Sequence, residues 1–393
     1  MAERGRVVVI GAGIVGAAIA RSLGRGGHEV IVLDRGPTAG GTSASGEGNL
    51  LVSDKGPGAE LELMQRSLEL WRELDGQLRD ELPAGFPSLE LDHKGGLVVA
   101  TTASGAMALR EFATRQRPAG VVAQEVDEQQ VRELEPDLTR DYTAAVFYPG
   151  DAQVQPVVAT ESLLASARLH GAQVRQGVEV TGPIMSAGRL VGVQTSGGPV
   201  YGDAVVLAAG PWSGGLSAGL GAPLPVRPRR GTVLVTTRMP QRIRRKVYDA
   251  DYVGAVGSGA ADLQVSSVVE STAAGTVLIG SSRERKGFDD RIEARVVAAM
   301  AAKALLLFPF LKDVPVMRAY GGFRPFVPDH LPVIGPDPRL AGLWHATGHE
   351  GAGIGLSLAT AEILTALMDG TSNGENPFRV DRDTLAPYLE EVV

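Results

Sequence analysis

The sequence predicts an α/β protein: a doubly wound domain assembled from separated segments, joined to an α+β domain built on a mostly antiparallel sheet. Three observations carry that expectation. A strand, a glycine turn, a helix and a second strand follow one another over residues 6–35. A second glycine-rich strand-to-helix junction lies at 348–355. Between them, two stretches of short strands depart from the β–α alternation. The doubly wound domain is expected to comprise 1–86, 148–224 and 318–393, and the α+β domain 87–147 and 225–317.

Val7-Val8-Val9-Ile10 is a β-branched apolar run, the mark of a buried strand. Gly11-Ala12-Gly13-Ile14-Val15-Gly16 follows, then Ile14, Ala18, Ile19 and Leu23 recur at helical spacing until Gly26-Gly27 stops the helix. The next strand, 29–33, ends on Asp34. Gly11 permits the sharp turn off the strand, Gly13 lets backbone N–H groups approach a pyrophosphate, and Gly16 lets the helix press on the sheet. The helix N-terminus offers free donors and partial positive charge. Asp34 is placed to accept hydrogen bonds from a ribose. Framed in this way, the glycines predict a dinucleotide site. The hydroxyl- and glycine-rich loop at 40–49 follows, with Thr42, Ser43 and Ser45 as small donors.

Leu61, Met64, Leu68, Trp71, Leu74, Leu78 and Leu82 mark one face of a long amphipathic helix ended by Pro83, and this stripe reads as core. A strand at 95–100 and helices at 106–115 and 127–134 belong to the first excursion into the second domain. The chain returns with a helix at 156–170, a strand from Gln173 and a hairpin region through Val180 and Leu190 to Thr195. The strand at 203–210 ends in small residues that allow close approach of a ligand, and Trp212 is expected to pack over that end. Strands at 233–236, 247–253, 263–269 and 276–280 and a helix at 293–308 form the second excursion. The final segment runs from Tyr320-Gly321-Gly322-Phe323-Arg324-Pro325 to a helix opened by 348–355 and reaching Met368.

At 393 residues, two domains are the natural division. The formal net charge of −7 argues against a nucleic-acid partner. The basic cluster Arg242, Arg244, Arg245 and Lys246 reads as a solvated face. With no cysteine, disulfides, thiolate metal sites and cysteine nucleophiles are absent, and no metal site is expected. No apolar run is expected to reach the roughly 20 residues that cross a bilayer. A strand beginning at Val7 leaves no room for a signal sequence, so a cytoplasmic location is expected.

Four blocks in this order resemble the flavin-dependent amine oxidoreductases of the glycine oxidase, sarcosine oxidase and D-amino-acid oxidase/dehydrogenase family. They are GAGIVG with Asp34; GGTSASGEGN; VVLAAGPWSG; and GGFRPFVPDHLPVIG with ATGHEGAGIG. The resemblance covers nearly the whole chain and implies non-covalent FAD. It places Gly11, Ala12, Gly13, Ile14, Val15, Gly16, Asp34 and Arg35 around the ADP half. Thr42, Ser43, Ser45, Gly48 and Asn49 fall along the pyrophosphate and flavin edge, and the Val180 backbone at the adenine. Ala209, Gly210 and Trp212 lie at the strand end beneath the cofactor; Gly348, His349, Gly351, Gly353 and Ile354 lie at the helix start facing the flavin. It also implies that Arg324 grips the substrate carboxylate, with Tyr252, on the sheet, as a second substrate contact. His349 is assigned to cofactor contact, not to proton abstraction.

This sequence departs from its relatives in two ways. Sarcosine oxidases that tether flavin through cysteine have no counterpart here. Glycine oxidases carry a second arginine where this chain has Glu350-Gly351-Ala352. The stretch GNLLVSDKGPG resembles relatives acting on secondary amines, and a second substrate carboxylate would meet the 242–246 cluster. The implied activity is oxidation of the C–N bond of an amino acid or N-substituted glycine, with O2 or another electron acceptor. A D-amino-acid, opine or hydroxyproline dehydrogenase, an NAD-linked dehydrogenase and a flavin-holding subunit of a larger assembly stay open as alternatives. The substrate and oligomeric state are left undetermined.

Overall fold

The strand Arg6–Ile10 lies inside a six-stranded sheet ordered Val333–Pro336, Leu343–Thr347, Ala204–Leu207, Arg6–Ile10, Glu29–Asp34, Gln173–Gln176. All neighbours are parallel except Val333–Pro336, which runs antiparallel to Leu343–Thr347. The computed structural model describes residues 4–372 and 374–391. Segments from the start, middle and end of the chain therefore meet in one sheet.

Both faces of this sheet are covered, which is why its strands read as continuous apolar runs. Val7 and Val9 pack under the helices Ile14–Arg25, Pro156–Leu169 and Gly353–Met368, whereas Val8 and Ile10 pack against the small sheet of Val180–Ser186, Arg189–Thr195 and Val200–Tyr201. The expected stripe of the helix Ala59–Glu81 is buried, and Trp71 donates its indole N–H to the Gly355 carbonyl at 3.2 Å. Left-handed Gly27 (φ +86°) closes the turn after the helix Ile14–Arg25.

The second sheet has eight strands, ordered Val316–Phe326, Arg227–Thr236, Val277–Arg283, Gln264–Ser271, Lys246–Asp249, Gly96–Ala100, Ala144–Tyr148, Gln124–Glu125. Only Lys246–Asp249 and Gly96–Ala100 pair in parallel. The helix Ala294–Leu307 covers one face through Val296, Met300, Ala304 and Leu307.

Several features differ from expectation. The boundary at 318 falls inside Val316–Phe326, which pairs along its length with Arg227–Thr236 and so belongs to the eight-stranded sheet. Its glycines serve close approach: a Cβ on Gly322 would lie 2.4 Å from the Ser45 Cβ. The strand expected at 247–253 stops at Asp249, whose carboxylate accepts the Asp251 N–H at 3.1 Å, and Tyr252 lies on the short helix Asp251–Val256, not on the sheet. The helix expected from 348 starts at Gly353, after a 3-10 turn at Glu350–Ala352. That turn and helix, Glu350–Met368, form one stretch long and apolar enough by length and composition alone to cross a membrane. Here it packs against the helices Ile14–Arg25 and Ala59–Glu81.

The basic cluster also divides. Arg242 pairs with Asp137 at the surface, but Lys246 is 1% exposed, ion-paired with Glu270 (0% exposed) and bonded to the Asn49 side chain. The Arg244 and Arg245 amides bond to Glu135. None of the four lines the cavity between the two sheets. Burial pushes the Glu270 carboxyl up to about 7 against the pull of Lys246. Removing one partner of a buried pair costs more than replacing both. Lys246→Met is expected to destabilise the fold by about 3 kcal/mol. The Lys246→Met/Glu270→Leu pair should recover most of that in urea unfolding, and additive losses would contradict the pairing.

Candidate active site

A cavity of about 570 Å³ lies between the carboxyl ends of the strands Arg6–Ile10, Glu29–Asp34 and Ala204–Leu207 and the facing strands Arg227–Thr236 and Val316–Phe326. The carboxyl edge of a doubly wound sheet, where the strand order reverses, is the general ligand position of this architecture.

One end is built from the first glycine turn. Gly11 has φ +115°, and a Cβ there would meet the Ala208 carbonyl at 2.5 Å. A Cβ on Gly16 would fall 1.9 Å from the Gly11 carbonyl, so the helix can seat only on glycine. The Asp34 carboxylate accepts the Ala12 and Gly36 N–H groups, each at 2.8 Å, which fixes it at the cavity wall. The Ile14 N–H donates to the Ser43 hydroxyl at 2.9 Å. Among the described residues, the Gly13 and Val15 amides find no acceptor, and both residues line the cavity. Free N–H groups at a helix start, with an anchored acid one strand away, fit a pyrophosphate and a ribose. Val180 and Arg35 line the same end. The Arg35 guanidinium lies 4.6 Å over the Trp212 ring, which stacks on Phe288 at 5.5 Å.

The late junction faces the same cavity. His349, Gly351, Gly353 and Ile354 line it, as do Ala209, Gly210, Thr42, Ser45 and Asn49. Thr347 ties the two strand ends together, donating to the Gly210 carbonyl at 3.1 Å. His349 bonds Thr360 through Nε2 at 2.9 Å, and burial pushes its imidazole down to about 3, so it is neutral at neutral pH.

Four of the residues expected to touch cofactor stand behind the wall. Ala12 and Gly16 lie under the turn, Gly48 abuts the Val154 carbonyl, and Gly348 abuts Val327. Gly48 and Gly348 both have φ +82°, so they shape the loops that other residues present.

Arg324 lies over Gly231, where a Cβ would meet Nη1 at 2.4 Å, and donates Nη1–H to the Ser282 carbonyl at 2.9 Å. No carboxylate pairs with it among the described residues. Burial, with Arg283 nearby, lowers its guanidinium to about 10, still cationic at neutral pH. Tyr252 stacks on Tyr248 at 5.5 Å beneath the Arg283 guanidinium, and burial raises its phenol so that it stays a donor.

Sequence reasoning missed Glu47 and Glu350 as site residues, although both line the cavity. Glu350, in the left-handed region at φ +45°, approaches Arg229 Nη1 at 3.4 Å and His330 Nδ1 at 2.8 Å, and this carboxylate raises the His330 pKa. The signal for Glu47 was its place as the one acid in the loop 40–49.

Together, the sheet edge and the two converging helix starts define an oxidoreductase of the dinucleotide-cofactor class. The chain belongs to the FAD dependent oxidoreductase family, whose model matches residues 6–367. It is similar to a glycine oxidase of Pseudomonas aeruginosa, 32% identical over 370 residues that span 93% of this chain and 95% of the relative. A D-amino acid dehydrogenase of Cereibacter sphaeroides is 28% identical over 420 residues, 93% of this chain and 92% of that one. The crystal structure of glycine oxidase from Geobacillus kaustophilus superposes with a TM-score of 0.86 at 26% identity, covering 96% of this chain and 99% of that one. The protein is thus an FAD-dependent enzyme acting on C–N bonds, and the nicotinamide alternative falls away.

With no cysteine, acid precipitation is expected to release the yellow cofactor wholly into the supernatant as FAD; a yellow pellet would contradict this. Ser43→Ala should weaken FAD binding by the apoprotein about tenfold, the scale of one hydrogen bond to a charged group, as read by fluorescence titration.

Proposed function

We propose that this enzyme oxidises the C–N bond of a small amino acid or N-substituted glycine to an imine, which water hydrolyses to an oxo acid and an amine. The observation that carries the proposal is Arg324, a cation at the cavity without a carboxylate partner among the described residues, beside a buried tyrosine. A guanidinium fork is planar, bidentate and permanently charged, which suits a substrate carboxylate. Arg324 holds that carboxylate, and the Tyr252 phenol donates a second hydrogen bond. When bound, FAD supplies a two-electron hydride acceptor. The positive end of the helix Gly353–Met368 faces the same cavity and favours negative charge there. His349, neutral and bonded to Thr360, takes no proton, so a substrate that binds as an ammonium gives its extra proton to another acceptor before it reacts as the free amine. Holding the α-carbon in place supplies much of the rate.

The proposal assigns cofactor to the domain of the six-stranded sheet, substrate to that of the eight-stranded sheet, and a cytoplasmic setting to the enzyme. O2 as final acceptor yields hydrogen peroxide; the dehydrogenase relative favours a second reading with another acceptor.

Anaerobic bleaching of the holoenzyme by a panel of primary and secondary amino acids tests the substrate class, and peroxide release in air tests the acceptor. Arg324→Ala should lower kcat/KM by about a hundredfold or more while the protein stays yellow. Unchanged turnover would remove Arg324 from the mechanism.

A further inference from the structure

We infer that Glu47 is the specificity-determining residue that receives the cationic nitrogen of the substrate, resting on the reading of Arg324 as the carboxylate anchor. Glu47 is 8% exposed and lines the same cavity as Arg324 and Tyr252. Its Oε2 accepts the Asn49 side-chain N–H at 3.2 Å, and Asn49 in turn accepts from the Lys246 ammonium. This chain of bonds orients the carboxylate. Its other oxygen, Oε1, is buried without a hydrogen-bond donor among the described residues. That oxygen lies directly over Gly280, where a Cβ would sit 2.0 Å away, so the eight-stranded sheet leaves room for the acid only because a glycine is there.

The Glu47 charge is felt by the functional groups around it. It opposes the lowering of the Arg324 guanidinium, and it pushes the Tyr252 and Tyr320 phenols and the Glu270 carboxyl upward. A buried carboxylate oxygen with no donor is a costly arrangement. An arriving ammonium or secondary ammonium supplies both the missing N–H and the opposite charge, in a charge-assisted hydrogen bond. The cavity therefore carries a cation for the carboxylate and an anion for the nitrogen, a charge pattern matched to an amino-acid zwitterion. Hydroxy acids and N-acyl amino acids offer the carboxylate without the cation, and Glu47 selects against them.

The test uses holoenzyme and two ligands of one shape, neither of which can lose an α-hydride: 2-aminoisobutyrate and 2-hydroxyisobutyrate. Binding is read as perturbation of the flavin absorption. The wild type should bind the amino acid at least about tenfold tighter than the hydroxy acid, and Glu47→Gln should erase that preference by weakening the amino acid alone. Equal weakening of both ligands by Glu47→Gln would show a structural role and overturn the inference. So would a wild type without the preference, or one that binds neither ligand at millimolar concentration. Arg324→Ala should weaken both ligands together; if it weakens neither, the carboxylate reading fails while the Glu47 preference stands or falls separately.

Discussion

The Thr42–Ser45 turn is bonded to both halves of the molecule, and the geometry of the site depends on it. Ser43 accepts the Ile14 N–H at the start of the first helix, and Thr42 donates to the Phe323 carbonyl at 2.6 Å in the strand that carries Arg324. Ser45 presses against Gly322, where a side chain would collide. One short segment thus sets the spacing between the glycine-lined cradle and the Arg324 guanidinium. Loop segments held in this way by a rigid scaffold are where binding chemistry concentrates.

The electrostatics of the cavity follow from what each charge is denied. Among the described residues, Arg324 is given a backbone carbonyl but no carboxylate, and Glu47 one amide donor but no cation. Lys246 and Glu270, equally buried, form an ion pair with one another and line no part of the cavity. Glu350 is likewise occupied, by Arg229 and His330. On the proposed reading, Arg324 and Glu47, which line the cavity, are the charges that meet a ligand, in keeping with the high cost of an unmatched ion in a low-dielectric site.

Much of this was legible in the sequence because the cradle is made by backbone. Glycines at Gly11 and Gly16, an acid at Asp34 and small residues after Leu207 are steric requirements, and steric requirements leave a mark on residue type. Long-range pairing leaves a weaker mark. The boundary expected at 318 cuts into Val316–Phe326 because nothing local reveals that Arg227–Thr236 lies alongside it or that Ser45 packs against Gly322. In sequence Tyr252 reads as part of a strand because apolar residues continue past Asp249, and the side-chain bond that turns the chain into a helix carries no periodicity. Lys246 looked like part of a solvated run because its partner Glu270 is distant in sequence. The place of Glu47 is hidden from the sequence for a similar reason: its surroundings include Gly280 and Arg324, both contributed by the other sheet.

The central claim is that one cavity holds the dinucleotide cofactor along the early and late glycine junctions and presents its reactive end to Arg324. The most direct measurement is a crystal structure of the holoenzyme with a carboxylate inhibitor bound. The account predicts the adenosine ribose at Asp34, the flavin between Gly353 and the eight-stranded sheet, and the inhibitor carboxylate on the Arg324 guanidinium. Density that places the carboxylate away from Arg324, or the flavin ring at the Asp34 end, would contradict it.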